Sequence, residues 1–304
     1  MRQYLKSFKM LTREQEEHFL FNDRRTLLTS KYPFNVFRYR ELPPLSFGPV
    51  TIFYGGNGSG KSTVLNVIAE KLQLKRGAVY NRSEVFEDYI RRCRYQLCAG
   101  ADIPPESRII TSDDVFDYLL DIRYINSGID KRRNELFETY FDKRSVSAEE
   151  ARLRSLADYD RWRDVVDAKK DKHPNPTPYV RERVMRNVQE RSNGESALMY
   201  FTEEIKENAL YLLDEPENSL SAKFQLELKS FLEASVRAYG CQFIISTHSP
   251  FLLSMPDAVI YDLDGDPPRI RPWTELENIR LYRDFFAQHD TEFQRADSQP
   301  VEEQ

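Results

Sequence analysis

Four short apolar runs dominate the hydrophobic pattern of the chain, and a polar or glycine-containing turn follows each of them. The runs cover residues 50–54, 209–213, 242–246 and 259–263. Continuous apolar runs rich in β-branched and aromatic residues are typical of strands that are buried on both faces of a parallel sheet. We therefore expect one central sheet, with a further strand at 77–80.

Apolar residues recur at helical spacing between these runs, and this spacing predicts helices in 63–72, in 85–90, around 115–120 and from 192 onward. Thr12 with Gln15, and Thr274 with Glu277, match the capping box that starts a helix. From about 90 to 190 charged residues and tyrosines dominate, which predicts a helical insertion outside the sheet.

A glycine-rich loop lies between the strand at 50–54 and the helix at 63–72, and it fits the pattern G-x-x-x-x-G-K-[ST]. Glycines let successive backbone N–H groups point inward, and the positive end of the following helix adds to an anion site. The sequence therefore predicts a cradle for a nucleoside triphosphate. The residues expected to bind it are Gly55, Asn57, Gly58, Ser59, Gly60, Lys61, Ser62 and Thr63.

Carboxylates follow the apolar run at 209–213, where Asp214 and Glu215 stand at the expected carboxyl end of a strand. Ligands of open α/β sheets bind at that edge. We expect Asp214 and the Ser62 hydroxyl to ligate Mg²⁺, Lys61 to contact the phosphates and Glu215 to polarise the attacking water. His248 follows the run at 242–246, and we expect it to contact the γ-phosphate.

A second anion site is predicted where Ser192-Asn193-Gly194-Glu195-Ser196 opens a helix. The Ser192 hydroxyl, a flexible Gly194 and the helix N-terminus would form it. The segment 218–221 comes directly after the carboxylates, and we expect it to lie at a subunit boundary.

Composition narrows the class of protein. The chain has 304 residues and a formal net charge of −5, so bulk charge gives no reason to expect nucleic-acid binding. The arginines in 91–94 and the basic residues at 131–133 either form a local basic face or belong to a solvated helix surface that pairs with acids. Cys93, Cys98 and Cys241 form no C-x-x-C pair, which favours a reducing, cytoplasmic location. We expect no signal peptide and no membrane-spanning segment.

The order of these motifs resembles that of the ATP-binding cassette superfamily. The S-x-G-E form of the signature, at Ser192–Glu195, is similar to the chromosome-maintenance and recombination-repair branch. Within that branch, the chain resembles the small bacterial predicted ATPases (AAA family ATPases). The residues that carry this resemblance are Tyr32–Phe34, Gly55–Thr63, Ser192–Ser196, Leu213–Glu217, Ser246–Pro250 and Leu281–Phe285.

The resemblance implies a P-loop α/β fold: a mostly parallel central sheet, an N-terminal antiparallel β subdomain and a helical insertion. It also implies two ATP molecules bound between two subunits placed head to tail, so that Ser192, Gly194 and Glu195 of one subunit close over the γ-phosphate held by the other. The chain departs from transport cassettes at one position. Those cassettes carry a glutamine after an early strand, where it contacts Mg²⁺ and the attacking water. Glu84 is the comparable residue here, and Gln96 is the alternative.

The expected organisation has five parts. They are an N-terminal helical extension (1–30), the first part of the ATPase core (31–90), the helical insertion (91–185), the second part of the core (186–293) and a disordered tail (294–304).

Three functions stay open at this point. The first is an ATP-dependent dimerisation switch that controls a nucleic acid or a separate effector such as a nuclease or toxin, with slow hydrolysis of ATP. The resemblance alone implies a role in phage defence or DNA maintenance. The second is a cassette that energises a membrane transporter, and the third is an ATP-sensing scaffold module with little turnover.

Overall fold

The computed structural model describes residues 2–23, 25, 30–37, 41–145 and 192–297. Its strands are β1 (Leu5–Lys9), β2 (Leu45–Ser46), β3 (Val50–Tyr54), β4 (Arg94–Leu97), β5 (Arg108–Thr111), β6 (Leu210–Asp214), β7 (Gln242–Ser246), β8 (Val259–Asp262) and β9 (Arg269–Ile270). Its helices are α1 (Arg13–Asn22), α2 (Lys61–Lys71), α3 (Phe86–Arg92), α4 (Ser112–Ser145), α5 (Asn193–Glu204), α6 (Ala222–Ala238), α7 (Pro250–Leu253), α8 (Glu277–Gln288) and α9 (Asp290–Asp297), with a 3-10 turn at Trp273–Glu275.

The main sheet has the strand order β5-β6-β7-β3-β8-β9. The first five of these strands are parallel, and β9 pairs antiparallel with β8. Leu210–Leu213 of β6 and all of β7 are buried, as the continuous apolar runs predict. The four predicted strands are present, and the predicted α/β class with a mostly parallel sheet is confirmed.

A second sheet of three antiparallel strands has the order β2-β1-β4. The Gln242 side chain of β7 ties it to the main sheet: Oε1 accepts from the backbone N–H groups of Tyr4 (2.8 Å) and Leu5 (2.9 Å), and Nε2 donates to the carbonyls of Leu5 and Gly48 (both 2.9 Å). The predicted N-terminal helical extension at 1–30 contains helix α1, but strand β1 precedes this helix and belongs to the small sheet. The capping box of Thr12 and Gln15 is present.

Helix α2 follows the glycine-rich loop and inserts one apolar face into the core. Val64, Leu65, Val67 and Ile68 have no exposed surface, and they belong to the same apolar cluster as Leu5 and Phe8 of the small sheet. The loop before α2 therefore stands on a rigid base formed by a buried strand and a buried helix.

Several elements differ from the sequence predictions. Residues 77–80 form no strand, and β5 takes the place beside β6. Gln96 lies in strand β4 and not in a helix. Helix α8 starts at Glu277 without a side-chain cap, so the capping box predicted for Thr274 is wrong. Helix α9 includes the first residues of the predicted disordered tail, whose residues 298–304 lie outside the described part.

The chain divides into two compact units, Met1–Phe116 with Asn193–Gln304, and Asp117–Ser192. The predicted insertion at 91–185 thus begins too early, because β4 and β5 belong to the two sheets. The second unit is described as helix as far as Ser145, and the prediction for 146–185 lies outside the described residues. No helix within the described ranges is both long and apolar enough to cross a membrane.

Candidate active site

The glycine-rich loop turns sharply at its end. Gly60, the residue before α2, has φ 96°, a left-handed conformation that favours glycine. A Cβ on Gly60 would lie 2.4 Å from Cζ of Phe37. The turn at residues 32–37 therefore packs directly on the loop, and only glycine fits between them.

Lys61 is buried, with 4% of its surface exposed, yet its ammonium group is well surrounded. Nζ donates to the carbonyls of Gly55 (2.9 Å) and Gly56 (3.2 Å), and it lies 2.9 Å from Nε2 of His248. It is also 3.5 Å from Oε1 of Glu215. An ammonium has three N–H donors and three close acceptors surround it here, so the charge is held in place at the loop.

Asp214 lies beside the first turn of α2. The Ser62 hydroxyl donates to its Oδ1 at 3.1 Å, and the Ser246 hydroxyl of the neighbouring strand donates to the same oxygen. Burial, the largest effect, raises the pKa of Asp214. The buried Asp214 carboxylate and the neighbouring Ser62 hydroxyl offer two oxygen ligands of the hard type that Mg²⁺ prefers.

Glu215 has φ 48°, which is uncommon for a residue with a side chain. Its backbone N–H donates to the carbonyl of Ser246 at 3.0 Å, which holds this conformation. The carboxylate lies 3.3 Å from Nε2 of His248 and accepts from Asn218 Nδ2 at 3.0 Å. The hydrogen bond with His248, followed by that with Asn218 and the charge of Lys61, lowers the pKa of Glu215 to about 2.

The same nitrogen of His248 faces both Lys61 and Glu215. Lys61 can only donate, so Nε2 accepts from it when the ring is neutral. Nε2 can donate to Glu215 only if it carries a proton and the contact with Lys61 is lost. The two arrangements exclude each other, and in both of them Glu215 stays ionised at neutral pH.

Glu217 ends the motif Leu213–Glu217, but the sequence predicted no role for it in the site. Its Oε1 accepts from the Thr247 hydroxyl (2.6 Å), from the backbone N–H of His248 (2.6 Å) and from that of Ser249 (3.2 Å). Burial raises the pKa of Glu217. This carboxylate holds the turn that carries His248. A third acid two residues after the pair was the available signal.

Two further contacts support the loop from outside the predicted motifs. The Asp264 carboxylate, in the turn after β8, accepts from the backbone N–H of Gly56 at 2.6 Å. In α1, the buried Glu16 accepts from the backbone N–H of Asn35 at 3.0 Å. Because Asn35 belongs to the turn that packs on Gly60, α1 helps to position the loop.

The residues present fit a nucleoside triphosphate with Mg²⁺. The Ser59 hydroxyl is buried beside the loop and has no hydrogen-bond partner among the described residues, and Asn57 and Gly58 are exposed at the tip. No group of three or more His, Cys, Asp and Glu side chains within the described ranges could hold a metal ion. Mg²⁺ does not need one, since it usually binds one or two protein oxygens together with phosphates and water.

The structure brings Lys61, Ser62, Asp214, Glu215 and His248 together. The signature residues are not among their contacts: in the described part of the chain, the partners of Lys61 and Ser62 come from the loop, from the end of β6 with Glu215, and from the segment after β7. Gly194 lies inside α5 and not in a flexible turn.

The reason for a glycine at position 194 is close packing. A Cβ on Gly194 would be 2.7 Å from Cδ2 of Phe224, which belongs to α6. Ser192 directly precedes α5, and Glu195 lies in its first turn. The start of this helix is therefore held against α6.

Glu84 is not at the end of a strand. It is exposed in the turn before α3, and its carbonyl accepts from Arg25 at 3.2 Å. The alternative, Gln96, contacts Ser7 in the small sheet. Instead, Thr111 at the end of β5 is in register with Asp214, so the residues after Thr111 occupy that edge of the main sheet.

Sequence comparison decides the family. The family model described as "ABC transporter" matches residues 44–218, more than half of the 304 residues. The chain belongs to the ATP-binding cassette family. It is an ATPase of that family. A second model, described as "AAA domain, putative AbiEii toxin, Type IV TA system", matches residues 196–254. No curated protein shows a significant match.

Several solved structures are similar to this chain at low sequence identity. The ATP-binding cassette MJ0796, a dimer bound to ADP and Pi, has 13% identity and a TM-score of 0.38, covering 91% of this chain and 100% of that one. An Smc head domain bound to ScpA, from Pyrococcus furiosus, has 13% identity and a TM-score of 0.40, covering 89% and 96%. A metal-chelate type ABC transporter has 15% identity and a TM-score of 0.40, covering 90% and 84%.

Proposed function

We propose that the chain is a Mg²⁺-dependent ATPase that works as a dimerisation switch. The observation that carries this proposal is the convergence of Lys61, Ser62, Asp214, Glu215 and His248 at one edge of the sheet. Lys61 and the loop amides would hold the phosphates. Ser62 and Asp214 would hold Mg²⁺, which supplies charge neutralisation when bound.

Glu215 and His248 would act on the attacking water and the γ-phosphate. With a pKa of about 2, Glu215 is a weak base while His248 and Lys61 contact it. A γ-phosphate attracts the Lys61 ammonium, and an N–H of His248, more strongly than a carboxylate that is already shared between them. Once these two side chains turn to the phosphate, Glu215 is free to orient water and its pKa rises toward the ordinary value.

Dimerisation would complete the cage. Within the described ranges, the partners of Lys61 and Ser62 come from the loop, from the end of β6 and from the segment after β7, and the start of α5 supplies none of them. A second copy placed head to tail would bring its Ser192, Gly194 and Glu195 to the phosphates. The helix N-terminus there favours an anion.

The output would be control of a separate effector, such as a nuclease or toxin, or of a nucleic acid, in phage defence or DNA maintenance. The match of residues 196–254 to a model whose description names a toxin supports the effector version. We propose a cytoplasmic location for this switch.

The decisive experiment measures mass by light scattering for the Glu215→Gln protein with ATP and Mg²⁺. This variant should form a stable dimer, because the phosphates are still bound while hydrolysis is blocked. Lys61→Ala is the control, and it should stay monomeric under the same conditions. A Glu215→Gln protein that binds ATP and remains a monomer would refute the switch.

A transporter cassette is the second candidate, and the description of the matching family model favours it. It would be supported if the Glu215→Gln protein co-purified with an integral membrane protein. A phosphate-release assay separates both active functions from an ATP-sensing scaffold, which would bind ATP with little turnover.

A further inference from the structure

A basic groove lies on the small-sheet side of the first unit, between α1 and the end of α3. Arg91, Arg92 and Arg94 line it opposite Glu14 and Phe19, and its volume is about 440 Å³. Three of the lining residues are arginines and one, Glu14, is a carboxylate. Arg92 also lies 4.0 Å from Asp88. The whole chain, by contrast, carries a net charge of −5. The groove is therefore more basic than the chain as a whole.

Acids in the described part of the chain do not neutralise these arginines fully. Arg91 approaches Glu87 only at 3.8 Å, and Glu87 is closer to Arg82, at 2.9 Å. Arg94 forms no ion pair with any described residue. One interpretation of this arginine cluster was a solvated helix surface that pairs with nearby acids. That interpretation therefore does not apply to Arg94.

The position of Arg94 in the small sheet is a second reason to expect an anion in this groove. In the antiparallel register of β1 and β4, Arg94 stands directly opposite Lys9, and both side chains are exposed. Like charges in this arrangement repel each other and destabilise the pair of strands. Lys9 also has no ion-pair partner in the described ranges. An anion placed against Lys9 and Arg94 would remove this repulsion.

The chemistry of the groove favours a phosphodiester backbone over an acidic peptide. Most of the binding energy of a protein or peptide ligand comes from a few anchor side chains in well-packed pockets. Phe19, the aromatic residue of the groove, is already stacked on Phe34 at 4.7 Å, and the Arg92 guanidinium covers its ring at 4.5 Å. The groove therefore offers cations but no free aromatic face for stacking a base or an anchor.

We propose that this groove binds the phosphate backbone of a nucleic acid without reading its sequence. Arg91 and Arg94 make the principal phosphate contacts, and Lys9 extends the basic strip along the small sheet. Guanidinium groups match phosphate oxygens in a two-pronged geometry. The site is separate from the ATP site and does not require ATP or dimerisation.

The test uses fluorescence anisotropy of a labelled oligothymidylate of about 20 nucleotides, longer than a typical single-strand binding site, with the full chain and no nucleotide. Three phosphate contacts predict that log K falls with log salt with a slope of about −2. The double variant Arg91→Gln/Arg94→Gln should reduce that slope to about −0.7. With equal affinities of the variant and the wild type near 1 M salt, this change of slope corresponds to about 50-fold weaker binding by the variant at 50 mM salt.

Arg237→Gln/Arg283→Gln is the matched control, because it removes the same charge from exposed helix surfaces away from the groove. It should bind the oligonucleotide like the wild type. The proposal is overturned if the groove variant keeps the wild-type slope, or if the wild type does not bind at 50 mM salt. It is also overturned if a polyglutamate peptide competes as well as unlabelled oligonucleotide.

Circular dichroism melting shows whether the groove variant is folded. Light scattering of Glu215→Gln with ATP remains a separate measurement, so failure of the groove and failure of the switch can be distinguished.

Discussion

Replacing Glu217 by alanine tests the most unexpected part of the site, the carboxylate that holds the turn of His248. The change removes the acceptor of three hydrogen bonds. The backbone N–H of Ser249 keeps a second acceptor, the Thr247 hydroxyl, at 3.0 Å. Two donors, the Thr247 hydroxyl and the backbone N–H of His248, are left without Glu217.

The magnitude follows from these two donors. A buried donor without an acceptor costs about 1–3 kcal/mol, so the free energy of unfolding should fall by about 3 kcal/mol. For a domain of this size that corresponds to a fall in Tm of about 6–12 °C. Because His248 loses its anchor, kcat for ATP hydrolysis should fall by about 10–100-fold. KM should change little, since Lys61 keeps its contacts with the carbonyls of Gly55 and Gly56, and Ser62 keeps its contact with Asp214.

Thermal denaturation and a phosphate-release assay measure the two effects. Glu227→Ala, which removes an exposed carboxylate from α6, is the control and should match the wild type in both. Glu217→Gln keeps one oxygen acceptor and should lie between the wild type and Glu217→Ala. A Glu217→Ala protein with wild-type Tm and wild-type kcat would show that the turn of His248 does not depend on this carboxylate.

Three further changes have defined outcomes. Gln242→Ala should lower the free energy of unfolding by about 4 kcal/mol, because four backbone groups between the two sheets lose their partner. The folded pKa of Glu215 is about 2, below its ordinary 4.5, so its stabilising effect is present above about pH 4.5 and lost as the pH falls through 2. The Tm difference between the wild type and Glu215→Gln should therefore shrink from pH 5 to pH 2. Gly60→Ala should weaken ATP binding about 100-fold, because its Cβ clashes with Phe37 at a left-handed φ.

Matched controls separate these effects from general damage. Gln288→Ala, at an exposed helix position, should leave Tm unchanged, and equal losses for Gln242→Ala and Gln288→Ala would contradict the role of the buried amide. Gly58→Ala shares the positive φ but meets no atom within 4 Å, so its loss of affinity for a fluorescent ATP analogue should be smaller than that of Gly60→Ala. A constant Tm difference across pH would contradict the lowered pKa of Glu215.

The centre of the fold could be predicted because its signals are local. The runs of β3, β6, β7 and β8 are mostly apolar, and the loop before α2 has the residue types that a phosphate cradle needs. Lys61, Asp214 and His248 follow from the rule that parallel strands present their carboxyl ends at one edge. No long-range information is needed for any of these predictions.

The predictions that failed concern features that depend on contacts between residues distant in sequence. Strand β1 carries lysines and is completed by Gln242 from the other end of the chain, so its own pattern is weak. Strand β5 is short, and it is a strand because β6 pairs with it. The role predicted for Glu84 fails for the same reason. It depended on a strand at 77–80 that does not form, whereas the strand beside β6 is β5. The role of Glu217 is visible only when the turn after β7 is placed beside it.

Helix α1 and the turn at 32–37 support Gly60. This support affects the choice of a truncated fragment for biochemical work. The family match begins at residue 44, which makes that position a tempting start for a minimal fragment. Such a truncation would discard Glu16, Asn35 and Phe37, and it would also strip Gln242 of its partners in β1. Nucleotide affinity measured on that fragment would describe an unsupported loop, and not the site of the intact ATPase.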